Sequence, residues 1–153
     1  MRKTLLFITF LSSVFSFGQV TIGSGTLTDS NAGLSTPISI YYSTSLSQTI
    51  YMASEIGTSG TITSIDFKVN NTNSLANTSG MIDVWIGHTT RSSYSPVVGT
   101  SGADWISIAD HSHVVTNGTF TQTGTTLTFT FSTPFVYNGT DNLVITVDAN
   151  KPG

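Results

Sequence analysis

Alternation between apolar and polar side chains is the feature that most constrains the fold of this chain. Residues 81–88 and 125–131 each place three large apolar side chains on one face. These side chains are Ile82, Val84 and Ile86 in the first stretch and Leu127, Phe129 and Phe131 in the second. A period of two indicates half-buried strands, and turn residues recur about every 8–12 positions, as in sandwiches and barrels. The sequence therefore predicts an all-β protein, an antiparallel β-sandwich of jelly-roll or immunoglobulin-like type with about seven to nine strands.

Two Asn-Gly pairs predict turns. Asn117-Gly118 separates two short β-type stretches, residues 114–116 and 119–121, and Asn-Gly is a strong signal for a type I′ hairpin because both central residues need a positive φ. The second pair, Asn138-Gly139, precedes residues 143–147, which are dense in β-branched side chains and indicate a central strand. That strand would become an unprotected edge if partner strands were missing from the chain.

The N-terminus has the order of a secretory signal peptide. Two cations precede an apolar stretch, residues 5–11, and small side chains at positions 16 and 18 supply a cleavage site before Gln19. A transmembrane anchor is the alternative, but the uncharged span is short and polar at its end. We therefore expect residues 1–18 to be removed, residues 19–153 to form a single domain, and no stable membrane insertion after cleavage.

Composition excludes several classes of function. Cleavage leaves three cations against eight carboxylates, so the formal charge changes from −3 to −5, which disfavours nucleic acid as a partner. The chain has no cysteine and therefore no disulfide, thiolate nucleophile or Cys-ligated zinc. Charged residues make up only 8% of the chain, and abundant Ser and Thr predict a neutral surface covered by hydroxyl groups.

Three histidines are candidate zinc ligands. His111 and His113 project to one side if their stretch is extended, and His88 would be the third ligand, with Asp104 or Asp110 as substitutes. The alternative is a polar loop with solvated imidazoles, since no sequence feature identifies the outer hydrogen bonds that orient metal ligands. A His-based metalloenzyme is the catalytic version of this hypothesis.

Oxygen ligands for calcium are found near the last expected strand. Asp141, Asn142 and Asp148 bracket residues 143–147, and calcium prefers carboxylate and amide oxygens. The sequence has no EF-hand spacing, and the alternative is that these side chains accept backbone N–H groups in plain turns. We therefore expect no cofactor, with calcium as the open alternative.

Three aromatic residues are candidates for contact with sugars. Trp85 alternates with the apolar side chains of residues 82–86, so its indole faces outward if they face the core. Tyr51 and Trp105 are further candidates because rings with a polar group are favoured at binding surfaces. The alternative for each ring is packing in the core or between loops.

Motifs of nucleophilic and phosphate chemistry are missing from the sequence. There is no Gly-x-Ser-x-Gly elbow, and the glycine-containing residues 57–60 join two expected strands and therefore predict a turn. We expect no catalytic residue in this chain.

Two stretches resemble an N-terminal β-sandwich domain of secreted Bacteroidota proteins. The first comprises residues 47–57 and 60–65, and the second, residues 133–145, contains Pro-Phe, Tyr-Asn-Gly and Asn-Leu-Val in the order of that family's closing motif. Trp105 and residues 114–118 fall where the same pattern places them, and the Gly18-Gln19 junction is similar to flavobacterial cleavage sites.

The resemblance implies a non-catalytic extracellular binding or spacer module of an adhesin-like protein. Such a protein would pass through the periplasm and be secreted, or displayed at the cell surface, by type IX secretion. Its partners would be glycans, host or matrix proteins, or downstream domains of the same chain. The alternative is an accessory domain of a secreted hydrolase or protease with its catalytic domain downstream. No sorting domain follows residues 149–153, so we expect the sequence to be the N-terminal fragment of a longer protein.

Overall fold

A computed structural model describes residues 18–23, 37–39, 42, 44–69, 80–95 and 104–150. The predicted signal peptide, residues 1–18, lies outside them apart from Gly18. The described residues form seven strands and one short helix. In chain order these are β1 (Thr44–Tyr51), α1 (Ala53–Ile56), β2 (Gly60–Lys68), β3 (Ile82–Thr89), β4 (Ser112–Gly118), β5 (Thr121–Thr123), β6 (Thr126–Tyr137) and β7 (Asn142–Asn150).

The seven strands form two antiparallel sheets. One has four strands in the order β1-β7-β3-β4, and the other has three in the order β2-β6-β5. This arrangement confirms the predicted antiparallel β-sandwich. It also confirms residues 143–147 as part of a central strand, because β7 pairs with β1 on one side and with β3 on the other. β7 is therefore not an exposed edge.

The inner faces of the two sheets share one apolar core. Both alternating stretches contribute to it as predicted, since the apolar side chains of β3 and β6 are buried. The core side chains of β3, β6 and β7 are Ile82, Val84, Ile86, Leu127, Phe129, Phe131, Phe135, Tyr137, Leu143, Ile145, Val147 and Ala149. Burying each large apolar side chain contributes about 1.5–3 kcal/mol to the free energy of unfolding. The core thus fixes which side of each strand faces outward.

The predicted hairpin at Asn117-Gly118 is wrong. β4 belongs to the four-stranded sheet and β5 to the three-stranded sheet, so the chain crosses between sheets where the turn was expected. Asn117 does have a positive φ of 45°, but it lies in a bulge: Ile82 pairs with Gly118, while the β3 residue two positions on pairs with Val115. A bulge and a tight turn can both use an Asn with positive φ, and here the bulge does so.

The tight hairpin is found at the next connection along the chain, between β5 and β6. Thr123 pairs with Thr126, which leaves two residues in the turn, and the first of them, Gly124, has a φ of 59°. Glycine at this position is typical of a type II′ turn. The second predicted turn, at Asn138-Gly139, is confirmed and joins β6 to β7, with a φ of 77° at Gly139.

Strand β6 bends near its middle. Ile62 pairs with Phe135, whereas Ser64 pairs with Thr130, so β6 has extra residues relative to β2 at this point. Pro134 lies in this irregularity, where its missing N–H interrupts no ladder bond. The Ser132 hydroxyl donates to the Val114 carbonyl oxygen at 2.9 Å, which joins the bend to β4 of the other sheet.

Candidate functional site

The outer face of the four-stranded sheet carries an aromatic cluster, which we call the Trp85 cluster and define as Trp85, His113 and Asp83. Trp85 is half-buried and faces away from the core, as predicted from the alternation in β3. It pairs with His113 on β4, and the indole and imidazole rings stack with centroids 4.4 Å apart and planes 10° from parallel. The sheet register therefore brings together two rings that are 28 positions apart in sequence.

Asp83 fixes the imidazole of the Trp85 cluster. Its Oδ1 lies 2.7 Å from His113 Nε2 and accepts the Asn117 N–H at 3.0 Å. The bulge that displaced the predicted hairpin thus presents a backbone donor to this carboxylate. Asp148 pairs directly with Asp83 across β3 and β7, so a second carboxylate lies beside the cluster. The sequence alone could not place these groups together, because their strands are distant along the chain.

A segment that we call the strap, residues 104–111, lies over part of this outer face. Gln48 on β1 anchors it: its Oε1 accepts the Ile106 N–H at 2.8 Å, and its Nε2 donates to the Ile106 carbonyl at 2.9 Å. The same Nε2 contacts Thr146 Oγ1 on β7 at 2.8 Å. Val144 and Thr146, which face outward, have only 0% and 2% of their surfaces exposed.

Arg91 holds the beginning of the strap. Its guanidinium donates to Asp104 Oδ2 at 2.5 Å and to the Asp104 carbonyl at 2.8 Å, and it lies 5.6 Å from the centre of the Tyr94 ring. The Ser95 N–H also donates to Asp104, and together with Arg91 it holds the pKa of Asp104 below its ordinary value. This pair is partly exposed and contributes modestly to stability.

The end of the strap packs directly on the sheet backbone. The His111 ring lies so close to Gly87 that a β-carbon there would be 2.2 Å from His111 Cδ2. Burial lowers the pKa of His111, although the charge of Asp110 opposes this shift. His111 Nδ1 and the Tyr94 hydroxyl are buried with no hydrogen-bond partner among the described residues. Burial likewise raises the pKa of Tyr94.

The other two aromatic candidates, Tyr51 and Trp105, are packed against other parts of the protein. Tyr51 packs against the hydrophobic core, and burial, assisted by the charge of Glu55, raises its pKa. Trp105 is half-buried within the strap, next to the Ile106 backbone that Gln48 binds. Neither ring belongs to the Trp85 cluster. Of the three predicted aromatic residues, Trp85 alone has an outward position shown by strand alternation.

The structure does not bring the three histidines together. His113 and His111 lie on the outer face of the four-stranded sheet, whereas His88 lies on the opposite side of β3, against Phe135 and Tyr137. Strand alternation is the reason, since position 88 has the phase of Ile86 and not of Trp85. Among the described residues, no group of three His, Asp or Glu side chains is placed to hold a metal ion.

The three calcium candidates do not form one site. Asp141 precedes β7 and Asp148 lies near its end, and seven residues of strand span roughly 23 Å. Asn142 joins two other segments: its Oδ1 accepts the Ala53 N–H at 2.8 Å and its Nδ2 donates to the Arg91 carbonyl at 3.0 Å. Asp141 Oδ2 accepts from Asn138 Nδ2 at 2.7 Å, which is the turn arrangement that was the alternative to calcium.

Comparison with protein-family models, curated proteins and solved structures found no match to this chain. The resemblance to secreted Bacteroidota domains therefore stays a prediction. The only helix among the described residues is α1, with four residues, and none in this part of the chain has the length and apolar character needed to cross a membrane.

Proposed function

We propose that this domain is a non-catalytic extracellular binding module of an adhesin-like secreted protein, and that it contacts neutral glycans through the Trp85 cluster. The observation that carries the proposal is the stacked pair of Trp85 and His113, on the outside of the sandwich and beside Asp83. Rings at the surface offer apolar area to a sugar, and an adjacent carboxylate accepts hydrogen bonds from sugar hydroxyls.

The geometry of the stack indicates how a sugar would approach. The imidazole covers one face of the indole, so this face of Trp85 is closed to a ligand. His113 is exposed and belongs to β4, the edge strand of the sheet as described. We therefore expect the sugar to contact the free face of the imidazole and the edge of the indole, with Asp83 and Asp148 supplying acceptors.

The surroundings of the carboxylates favour a binding role over catalysis. Asp83 accepts a backbone N–H from Asn117, Asp104 accepts one from Ser95, and Asp66 Oδ1 accepts the Thr128 hydroxyl at 2.6 Å. A pair of carboxyl groups that performs glycoside hydrolysis instead faces a substrate groove from two sides. In this chain these groups orient loops and strands.

Affinity electrophoresis through gels that contain single neutral polysaccharides, such as a β-glucan, a xylan or a mannan, tests the proposal. We expect at least one polymer to slow the wild-type protein and the Trp85→Ala substitution to abolish most of that retardation. Tyr42→Ala is the matched control, since this exposed ring lies outside the Trp85 cluster. Absence of retardation by every polymer, or equal retardation of the wild type and the Trp85→Ala variant, would contradict the proposal.

Export is the second part of the proposal and is tested separately. The charged, apolar and small-residue regions at the N-terminus support cleavage before Gln19. Mass spectrometry of the protein recovered from outside the cytoplasm should show an N-terminal peptide that begins at Gln19. A peptide that begins at Met1 in the same fraction would contradict the predicted cleavage.

A further inference from the structure

A second polar site lies at the opposite side of β3 from the Trp85 cluster. A cavity of about 320 Å³ is lined by His88, Thr89, Thr90 and Asp141, where the end of β3 meets the turn between β6 and β7. His88 is a candidate zinc ligand and Asp141 a candidate calcium ligand from the sequence, in two separate hypotheses, and the structure places both on one cavity. None of the four residues belongs to the Trp85 cluster or to the strap.

The imidazole of His88 has a fixed orientation and a defined proton position. The Asn138 N–H donates to His88 Nε2 at 3.1 Å, so Nε2 is an acceptor and the proton of the neutral ring is on Nδ1. The ring packs against Tyr137 and Phe135, with centroids 5.7 Å and 5.0 Å away. No described residue accepts a hydrogen bond from Nδ1, which leaves one imidazole donor for a ligand.

The carboxylate of Asp141 is held just as firmly. Asn138 Nδ2 donates to Asp141 Oδ2 at 2.7 Å, and Asn138 Oδ1 accepts the N–H groups of Thr140 and Asp141 at 2.9 and 3.0 Å. The turn packs on the neighbouring loop, since a β-carbon on Gly139 would lie 2.8 Å from Ser59 Cβ. Asp141 Oδ1 has no partner among the described residues and remains an acceptor.

The combination of groups selects the class of ligand. The negative charge of Asp141 repels an anion, and the Nδ1–H of His88 disfavours a cation, whereas a hydroxyl group both donates and accepts. The Thr90 hydroxyl, on an exposed residue, can do the same. Two neighbouring hydroxyls on a sugar ring would satisfy one fixed donor and one fixed acceptor at once.

We propose that this cavity binds a neutral sugar ring through two adjacent hydroxyl groups, one donating to Asp141 Oδ1 and one accepting from His88 Nδ1, with Thr90 as a further contact. The proposal rests on the proposed function for its ligand class, a glycan, but on different residues. The cavity is open and small, so we expect a single sugar to bind with a dissociation constant on the order of 1–10 mM.

Titration of the ¹⁵N-labelled protein with the methyl glycosides of glucose, galactose, mannose and fucose tests the cavity directly. At least one glycoside should shift the backbone amide signals of Thr90, Asn138 and Asp141. The Asp141→Asn substitution keeps the shape of the side chain and removes its charge, and it should raise the dissociation constant about tenfold. Thr90→Val removes only a hydroxyl at an exposed position and should raise it about threefold.

A control variant outside both proposed sites completes the test. Thr130→Val removes an exposed hydroxyl from the other sheet and should leave the dissociation constant unchanged. The proposal is overturned if no glycoside shifts these amides, if both cavity variants bind as the wild type does, or if CaCl₂ shifts them and the glycosides do not. The Trp85→Ala variant distinguishes this site from the one in the proposed function. If the variant is no longer retarded by polysaccharide but its cavity amides still shift with a glycoside, the two sites are independent.

Discussion

The two outer faces of this sandwich follow the same alternating pattern, but their outward-facing side chains differ in exposure to solvent. On the four-stranded sheet, the strap covers the outward-facing Val144 and Thr146, which are 0% and 2% exposed. On the three-stranded sheet, the outward-facing side chains are mostly threonines that are exposed or half-buried, and Val136 is 70% exposed. These threonines, which we call the threonine face, are Thr121, Thr123, Thr126, Thr128 and Thr130.

Alternation thus separates core positions from outward-facing positions, but it does not determine which outward-facing positions are exposed to solvent. β7 places Val144 on its outer face in addition to the apolar side chains on its inner face, and Val144 needs its own cover. The threonine face needs no cover, because its hydroxyl groups can interact with solvent or with polar side chains on an adjacent strand. One example is the Thr128 hydroxyl, which donates to Asp66 Oδ1 at 2.6 Å. The Trp85 cluster, our proposed binding site, lies on the same face as the strap.

The largest effect is expected from removing apolar volume under the strap. Val144→Ala should lower the free energy of unfolding by about 2–3 kcal/mol because it leaves a cavity between the sheet and the strap. Val136→Ala is the matched control on the other outer face, and its effect should stay within about 0.5 kcal/mol. Chemical denaturation measures both, and equal losses would show that the two faces do not differ as described.

The next effect concerns the polar anchor of the strap. Gln48→Leu removes the partner of the Ile106 N–H and carbonyl and should cost about 2 kcal/mol, because these backbone groups lose their hydrogen bonds. Thr128→Val, on the threonine face, removes one exposed hydrogen bond and should cost about 0.5 kcal/mol. A Gln48→Leu variant as stable as the wild type would mean that the strap adds no stability through this anchor.

A smaller effect is expected where His111 packs on Gly87. Gly87→Ala forces the ring away and should cost about 1–2 kcal/mol, whereas Gly80→Ala, with open space around its β-carbon, should be nearly neutral. In a double-mutant cycle, His111→Ala should remove most of the penalty of Gly87→Ala because the clashing ring is gone. Additive effects of the two substitutions would contradict this packing.

The smallest effect is a pH dependence of the strap. Burial lowers the pKa of His111 below its ordinary value of 6.5, so the unfolded chain binds a proton more readily than the folded chain. The contribution of His111 to stability should therefore be complete above pH 6.5 and decline as the pH falls towards the lowered pKa. Comparing denaturation of the wild type and His111→Ala across this interval isolates the contribution, and parallel curves would show that His111 does not titrate differently in the two states.

Local pattern was sufficient for the fold class and the core. Period-two alternation in β3 and β6 is a property of neighbouring residues, so it predicted the buried face of each and the outward position of Trp85. The same kind of local rule failed at Asn117-Gly118, because a positive φ suits a bulge as well as a hairpin turn. Which sheet a strand joins depends on the whole chain.

The partners within each site could not be predicted for a related reason. Gln48 and Ile106 are 58 positions apart, and His113 and Asp83 are 30 apart, so nothing local indicates that they meet. His88 and Asp141 share a cavity only because the turn after β6 lies against the end of β3. The sequence-based hypotheses grouped candidate residues by their spacing along the chain, whereas the sheet register groups them by strand pairing.

The most direct test of the proposed binding module compares the two outer faces in one experiment. Backbone amide shifts of the ¹⁵N-labelled protein would be recorded with an oligosaccharide cut from the polymer that retards it most. We expect the largest shifts on residues 83–85 and 113–117, around the Trp85 cluster, and little change on the threonine face. Largest shifts on residues 121–130, with the Trp85 cluster unchanged, would contradict the proposal.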